Sequence, residues 1–232
     1  MKYDGIENMW ITNPHSKIDD IDAYLNWFDG SEDRNENYSM GYIDFYNRIL
    51  TLDLYPSLGS PREKNSLEIG FGGGRLINPA SKIFKHAYGI DILNEECIEM
   101  THKILSSNMS HNVTLYNDKD SDKLKDKSID FVYSFIVFQH FANWGVVEFY
   151  LDLIDRVLTD DGVGILYFGR NDHNNKDYYE VDPEERGCSL YVKPDFAEER
   201  MKEWFEVLEV GEVTKQPWNN LRSGQFYIKF TR

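Results

Sequence analysis

At 232 residues, 41% of them hydrophobic and 15% aromatic, the chain is long enough to bury a sizeable core without covalent cross-links. Its 40 Asp and Glu against 25 Lys and Arg give a formal charge of −15, which repels polyanions and excludes the broad cationic face that a DNA or RNA partner requires. Two cysteines, Cys97 and Cys188, in no zinc spacing, an N-terminus without an apolar leader and no long apolar run predict a cytoplasmic protein without a membrane span.

In chain order, Ile18, Ile21, Leu25 and Phe28 recur at spacings of three and four and predict one amphipathic helix. Tyr42, Phe45, Tyr46, Ile49 and Leu50 predict a second, with a polar loop from Asp29 to Asn37 between them. Residues 1–60 are therefore read as an N-terminal helical lid or extension, ahead of a main domain over 61–232. That domain opens with Leu67-Glu-Ile-Gly-Phe-Gly-Gly-Gly-Arg-Leu76, an apolar strand followed by a turn with glycines at alternate positions and a helix start. Gly70, Gly72 and Gly74 permit positive φ and the close approach of a ligand to the backbone.

A helix is predicted near 76–85, with Pro79 in its first turn, where its missing amide loses no partner. A strand over 87–91 ends in Asp91, placed to accept hydrogen bonds from the two hydroxyls of a ribose. Next come a helix over 95–106, a strand over 112–116 running into Asn117 and Asp118, and a strand over 129–135 leading to Gln139 and His140. A helix over 144–158, a strand over 163–168, a long polar connection over 169–194, a helix over 195–208 and strands over 210–215 and 224–231 complete the chain. Such alternation predicts an α/β protein with a mostly parallel sheet and helices on both faces. The connection over 169–194 has the length of a substrate-side loop.

The glycine spacing narrows the nucleotide. A dinucleotide fingerprint, G-x-G-x-x-G, would need glycine where Arg75 stands, and no G-K-[ST] follows to make a Walker A loop. The pattern Glu68-x-Gly70-x-Gly72-x-Gly74, with Asp91 after the next strand, resembles the class I, Rossmann-like S-adenosylmethionine (SAM) dependent methyltransferases. The order of Asn117-Asp118, of Ser128 to Phe141 with Asp130 and His140, and of Arg156 to Phe168 extends the resemblance over roughly 100 residues. It implies a seven-stranded sheet whose last strand is antiparallel, and SAM as cofactor. It further implies that Gly70, Gly72 and Gly74 lie under the methionine and ribose, that Asp91 holds the ribose hydroxyls and that Asp118 meets the adenine amine. Phe71, Ile92 and Phe135 would wall the adenine, Glu68 would brace the turn, and Arg75 would either pair with the methionine carboxylate or only start its helix.

On the acceptor side, His140 stands at the carboxyl edge of the sheet, and in several small-molecule O-methyltransferases of this family a histidine at this loop is the base. A hydroxyl acceptor needs such a base, and imidazole titrates near neutral pH. Asp172 and His173, after the fifth strand, are candidates for a second base, for orienting His140 or for holding the acceptor. The C-terminal third, with Arg186-Gly-Cys-Ser-Leu-Tyr191 and Gln216-Pro-Trp218, loosely resembles a branch acting on glycans and modified sugars. Tyr178, Tyr179, Tyr191 and Trp218 would supply stacking faces. Ser134-Phe-Ile-Val replaces the N-P-P-[YF] of the DNA-methylating branch, a second argument against nucleic acid. The sequence reading is thus methylation of a hydroxyl on a small-molecule or glycan acceptor, with no metal site. Its alternatives are N-methylation of a small amine or peptide, and a non-catalytic SAM-binding regulatory subunit.

Overall fold

The computed structural model describes residues 8–29, 33–181, 188–213 and 224–232. A π-helical turn, Asn8–Thr12, leads into the single turn α1 (Asn13–His15) and then α2 (Ile21–Asp29). The expected first helix starts only at Ile21 because the Asp20 carboxylate accepts from the backbone N–H groups of Asp22 and Ala23 at 3.0 and 3.2 Å and so caps it. Helix α3 (Arg34–Asp44) continues as a π-helical turn, Phe45–Ile49. It begins inside the stretch expected to be a loop, because Asp33 accepts from Asn35 and Glu36 as an N-cap.

The main domain supplies β1 (Asn65–Ile69), α4 (Ile77–Ile83), β2 (His86–Asp91), α5 (Glu95–Ser107), β3 (Val113–Asn117), β4 (Ile129–Ser134), α6 (Trp144–Val157) and β5 (Leu158–Gly169). Asn94 and Asn143 cap α5 and α6 through their side-chain oxygens. After β5 come a hairpin of β6 (Tyr178–Glu180) and β7 (Leu190–Val192), then α7 (Pro194–Met201), β8 (Glu206–Glu212) and β9 (Gln225–Thr231). The seven-stranded sheet has the order β3-β2-β1-β4-β5-β9-β8. β1 to β5 are parallel, and β9 runs antiparallel to both β5 and β8, as expected. The order reverses between β1 and β4, and the crevice outside the carboxyl ends there is where open α/β sheets bind ligands.

Strand alternation divides the core into two layers. Leu67, Ile69, Val132, Leu166 and Phe168 face α6 and α7, whereas Phe131, Tyr133, Ile165 and Tyr167 face α4, α5 and the N-terminal helices. Two expectations fail. The connection over 169–194 carries the β6–β7 hairpin, held by three antiparallel residue pairs and stacked Tyr179 and Tyr191 rings 4.8 Å apart. The helix expected to run to residue 208 ends at Met201, because Phe205 turns its ring onto Phe230 at 4.6 Å and the following valines join β9 as β8.

Candidate functional site: the glycine turn and the carboxyl edge of β4

The turn after β1 holds Gly70, Gly72 and Gly74 at φ of 78°, 49° and 87°, backbone that side chains with a Cβ rarely adopt. A Cβ at Gly70 would collide with the Val137 side chain, and one at Gly72 would stand 2.8 Å from the Phe28 ring of α2. The peptide of Gly72 is gripped at both ends. Its N–H donates to Asp91 Oδ2 at 2.9 Å, and its carbonyl accepts from Thr101 Oγ1 at 2.9 Å. Tyr24 of α2, fully buried, brings its hydroxyl to 2.9 Å from Thr101 Oγ1 and 3.0 Å from the Cys97 carbonyl.

Asp91, at the carboxyl end of β2, accepts a second backbone bond on Oδ1 from Ile92 at 2.7 Å. Burial pushes its pKa up to about 6, and the negative charge of Asp118 adds to the rise. The N–H groups of Gly72, Ile92 and Leu93 oppose it. Gly72 engages Oδ2 and Ile92 engages Oδ1, and a carboxylate has about four acceptor sites in all. Two adjacent acceptors beside a glycine cradle match a ribose diol, so the residues present fit an adenosyl cofactor. Asp118 is buried beyond β3, and Asn117 Nδ2 donates to the Leu93 carbonyl at 2.8 Å, tying the two loops together.

The remaining candidates on this side are placed differently. Glu68 is buried on β1 and accepts from the Tyr133 hydroxyl one strand away at 3.1 Å. Burial and this carboxylate hold the Tyr133 proton on well above the usual phenol range. Phe71 lies in the core, its ring 2.7 Å from where a Cβ on Gly89 would stand. Arg75 donates to Asp44 Oδ2 of α3 at 2.5 Å. Phe135 faces the Tyr167 ring at 4.8 Å, with the guanidinium groups of Arg48 and Arg75 at 5.7 and 6.0 Å from its centroid. The ring expected to wall the adenine therefore sits over the β4–β5 side of the edge. Asp130, at the opposite end of β4, is structural: it accepts from Lys64 Nζ at 2.9 Å and from the Asn65 amide at 2.8 Å.

Residues 135–140 form the loop that leaves the carboxyl end of β4. Ile136 takes φ of 61°, unfavourable for a β-branched residue, and so turns the chain sharply between Phe135 and Val137. His140, 7% exposed, packs on the Trp10 ring at 4.9 Å. Its Nε2 lies 3.1 Å from the Gln139 amide nitrogen. Gln139 Oε1 accepts from Gln225 Nε2 of β9, so Gln225, Gln139 and the His140 imidazole form one buried chain of polar contacts. The hairpin closes over this network through the Ser189 N–H, which donates to the Gln139 carbonyl at 2.7 Å.

Asp172 and His173 do not join it. Asp172 is paired with Arg170 at 2.8 Å and its side chain is 47% exposed, while Arg170 Nη1 reaches Glu212 at 2.9 Å. His173, exposed, has Tyr191 as its ring neighbour at 6.4 Å. Both follow the end of β5 at Gly169, and the hydrogen bonds they make with Arg170 and with Asn171 do not reach His140. Arg186, Gln216 and Trp218 lie outside the described residues. Trp10, Tyr24, Asp44, Arg48, Thr101 and Gln225, which surround the candidate residues, carry no signal of this in the sequence. Several belong to aromatic or polar runs whose periodicity signals only packing.

Residues 67–166 match the family model of a methyltransferase domain. The fold is the Rossmann-like methyltransferase fold. A structure described as a DhpI–SAM–HEP complex is 14% identical and covers 100% of both chains with a TM-score of 0.62. A SAM-dependent methyltransferase from Aquifex aeolicus is 15% identical, with 85% of this chain and 97% of that one covered and a TM-score of 0.58. An S-adenosylmethionine-dependent methyltransferase from Clostridium acetobutylicum is 13% identical, with 94% and 98% covered and a TM-score of 0.59. No curated protein matches the chain. Among the described residues, no helix is long and apolar enough to cross a membrane, and no cluster of three or more His, Cys, Asp or Glu could hold a metal ion.

Proposed function

We propose that this protein is a SAM-dependent methyltransferase that methylates a hydroxyl of a small, sugar-containing acceptor. The methyltransferase-domain match and the fold support the first part. The observation that carries the cofactor is Asp91, a carboxylate held beside the glycine turn by the Gly72 and Ile92 amides. Bound there, SAM supplies an electrophilic methyl group. The chain's own work is to hold the nucleoside, exclude water and place the acceptor oxygen, and orientation of this kind contributes about 7–11 kcal/mol in favourable cases.

His140 supports the choice of a hydroxyl acceptor. In the tautomer with its proton on Nδ1, the imidazole would take the proton of an acceptor O–H at Nε2, in place of its present contact with Gln139. In this reading Gln139 and Gln225 hold the ring in position, residues 1–60 cover the site, 61–232 form the catalytic domain and 169–194 close its acceptor side.

The test is transfer of labelled methyl from SAM to sugars, nucleotide sugars, glycolipids, amines and protein. Label in a saccharide that falls by about 10²-fold or more in His140→Ala, with unchanged affinity for S-adenosylhomocysteine (SAH), is the expected result. Label in amines or protein that survives His140→Ala would replace this reading with N-methylation, which needs no such base.

A further inference from the structure

The acceptor side of the edge contains a cationic group that neither the cofactor nor His140 uses. Arg48 lies in the π-helical turn after α3. Its side chain is 13% exposed, its backbone carbonyl accepts from the Tyr167 hydroxyl at 2.8 Å, and its guanidinium stands over Phe135. Both aromatic partners belong to the carboxyl edge on the β4–β5 side, since Phe135 follows β4 directly and Tyr167 is near the end of β5. Asp91, by contrast, ends β2 on the other side of the point where the strand order reverses.

Asp44 is the anion of this cluster, fully buried, and it explains only part of Arg48. The two arginines divide the carboxylate: Arg75 Nη1 takes Oδ2 at 2.5 Å and Arg48 Nε takes Oδ1 at 3.0 Å. Arg48 thus spends a single N–H on Asp44. Its two Nη atoms, the fork suited to bidentate recognition of a carboxylate or phosphoryl group, make no hydrogen bond among the described residues. The bond to Asp44 and the Phe135 ring restrain the guanidinium, and the bond from Tyr167 anchors the Arg48 backbone, so less side-chain freedom is lost when an anion docks. A half-hidden, pre-oriented arginine stands out in a chain of formal charge −15, whose general field disfavours anions.

We infer that Arg48 recognises an anionic group, carboxylate or phosphoryl, carried by the methyl acceptor. The inference rests on the methyltransferase reading and narrows its substrate class to acidic hydroxyl compounds, including sugar acids and sugar phosphates. Arg75, which enters with the glycine turn, shares Asp44 and the Phe135 ring with Arg48 but spends its Nη1 on the carboxylate.

The test uses the full-length protein saturated with SAH, titrated separately with inorganic phosphate and with lactate by calorimetry. Saturable binding of either anion is expected, weakened about tenfold or more in Arg48→Gln, while SAH affinity stays within about twofold of wild type. The anion that binds more tightly identifies the class. Arg48→Lys keeps a charge beside Asp44 but loses the fork, so it carries the test if Arg48→Gln fails to fold, with the same loss of anion binding. Equal anion binding by wild type and variant, or none by wild type, would overturn the inference. So would a fall of tenfold or more in SAH affinity on substitution, which would make Arg48 a partner of the cofactor's carboxylate. Failure of the methyltransferase reading would look different: SAH and the anion would both bind and no labelled methyl would move.

Discussion

Asp91→Asn separates a ribose-binding role from a purely structural one. In the wild type the carboxylate is held by two backbone amides in surroundings that raise its pKa from 3.8 to about 6. Two pKa units correspond to about 3 kcal/mol against the charged form. The sign follows from proton binding: between pH 4 and 6 the folded state holds a proton that the unfolded state has released, so stability falls as pH rises through that window and the cost is constant above it. Asn relieves this cost but turns an NH2 toward Gly72 or Ile92, and a lost buried partner costs about 1–3 kcal/mol, so the melting temperature of the ligand-free protein should change little near pH 7.5. Ligand affinity should change much more. Two ribose hydroxyls donating to a carboxylate contribute about 1.5–3 kcal/mol each, and Asn can replace at most part of this, so SAH should bind roughly 10²- to 10³-fold more weakly. Because only the ionised form accepts from both hydroxyls, wild-type affinity should be flat above pH 7 and about tenfold lower at pH 5, whereas the variant's should be flat throughout. Calorimetric titration with SAH from pH 5 to 8 decides it. An Asp91→Asn protein within threefold of wild type, or a wild-type profile without the acid limb, would refute the ribose assignment.

Three further substitutions probe the turn and its support. Gly59 and Gly70 both have positive φ, but a Cβ at Gly59 meets nothing within 4 Å whereas one at Gly70 strikes Val137. Gly59→Ala should therefore cost about 1 kcal/mol in chemical denaturation and leave SAH affinity alone, while Gly70→Ala should cost several and weaken SAH by tenfold or more. Equal effects of the two would show that the close approach at Gly70 is unimportant. Tyr24→Phe removes a buried hydroxyl bonded to Thr101 and Cys97, for an expected loss of about 1–2 kcal/mol in stability. It should also weaken SAH severalfold, since Thr101 steadies the Gly72 carbonyl; an unaltered SAH affinity would reduce α2 to scaffolding.

The chain by itself determined the part of this protein that depends on local backbone rules. Glycines at 70, 72 and 74 needed only positive φ to announce a ligand-bearing turn, and the alternation of apolar strands with helices dictated a parallel sheet with Asp91 and His140 at its carboxyl edge. Strand and helix bounds in the nucleotide half agree with the structure to within a few residues because capping, burial and periodicity there point the same way. Tertiary structure alone decided how the N-terminal residues meet the turn. Tyr24, Phe28, Asp44 and Arg48 lie in helices whose aromatic spacing reads equally well as plain core, and no local rule states that Tyr24 reaches Thr101 or that Asp44 joins two arginines. Asp172 and His173 also have surroundings that their position after β5 does not state, since Asp172 is paired with Arg170 and His173 is exposed beside Tyr191. Likewise the polar contacts that run from His140 through Gln139 end on Gln225, 85 residues farther along the chain from His140. Contacts of this range depend on the packing of distant elements, and side-chain spacing along the chain carries no record of them.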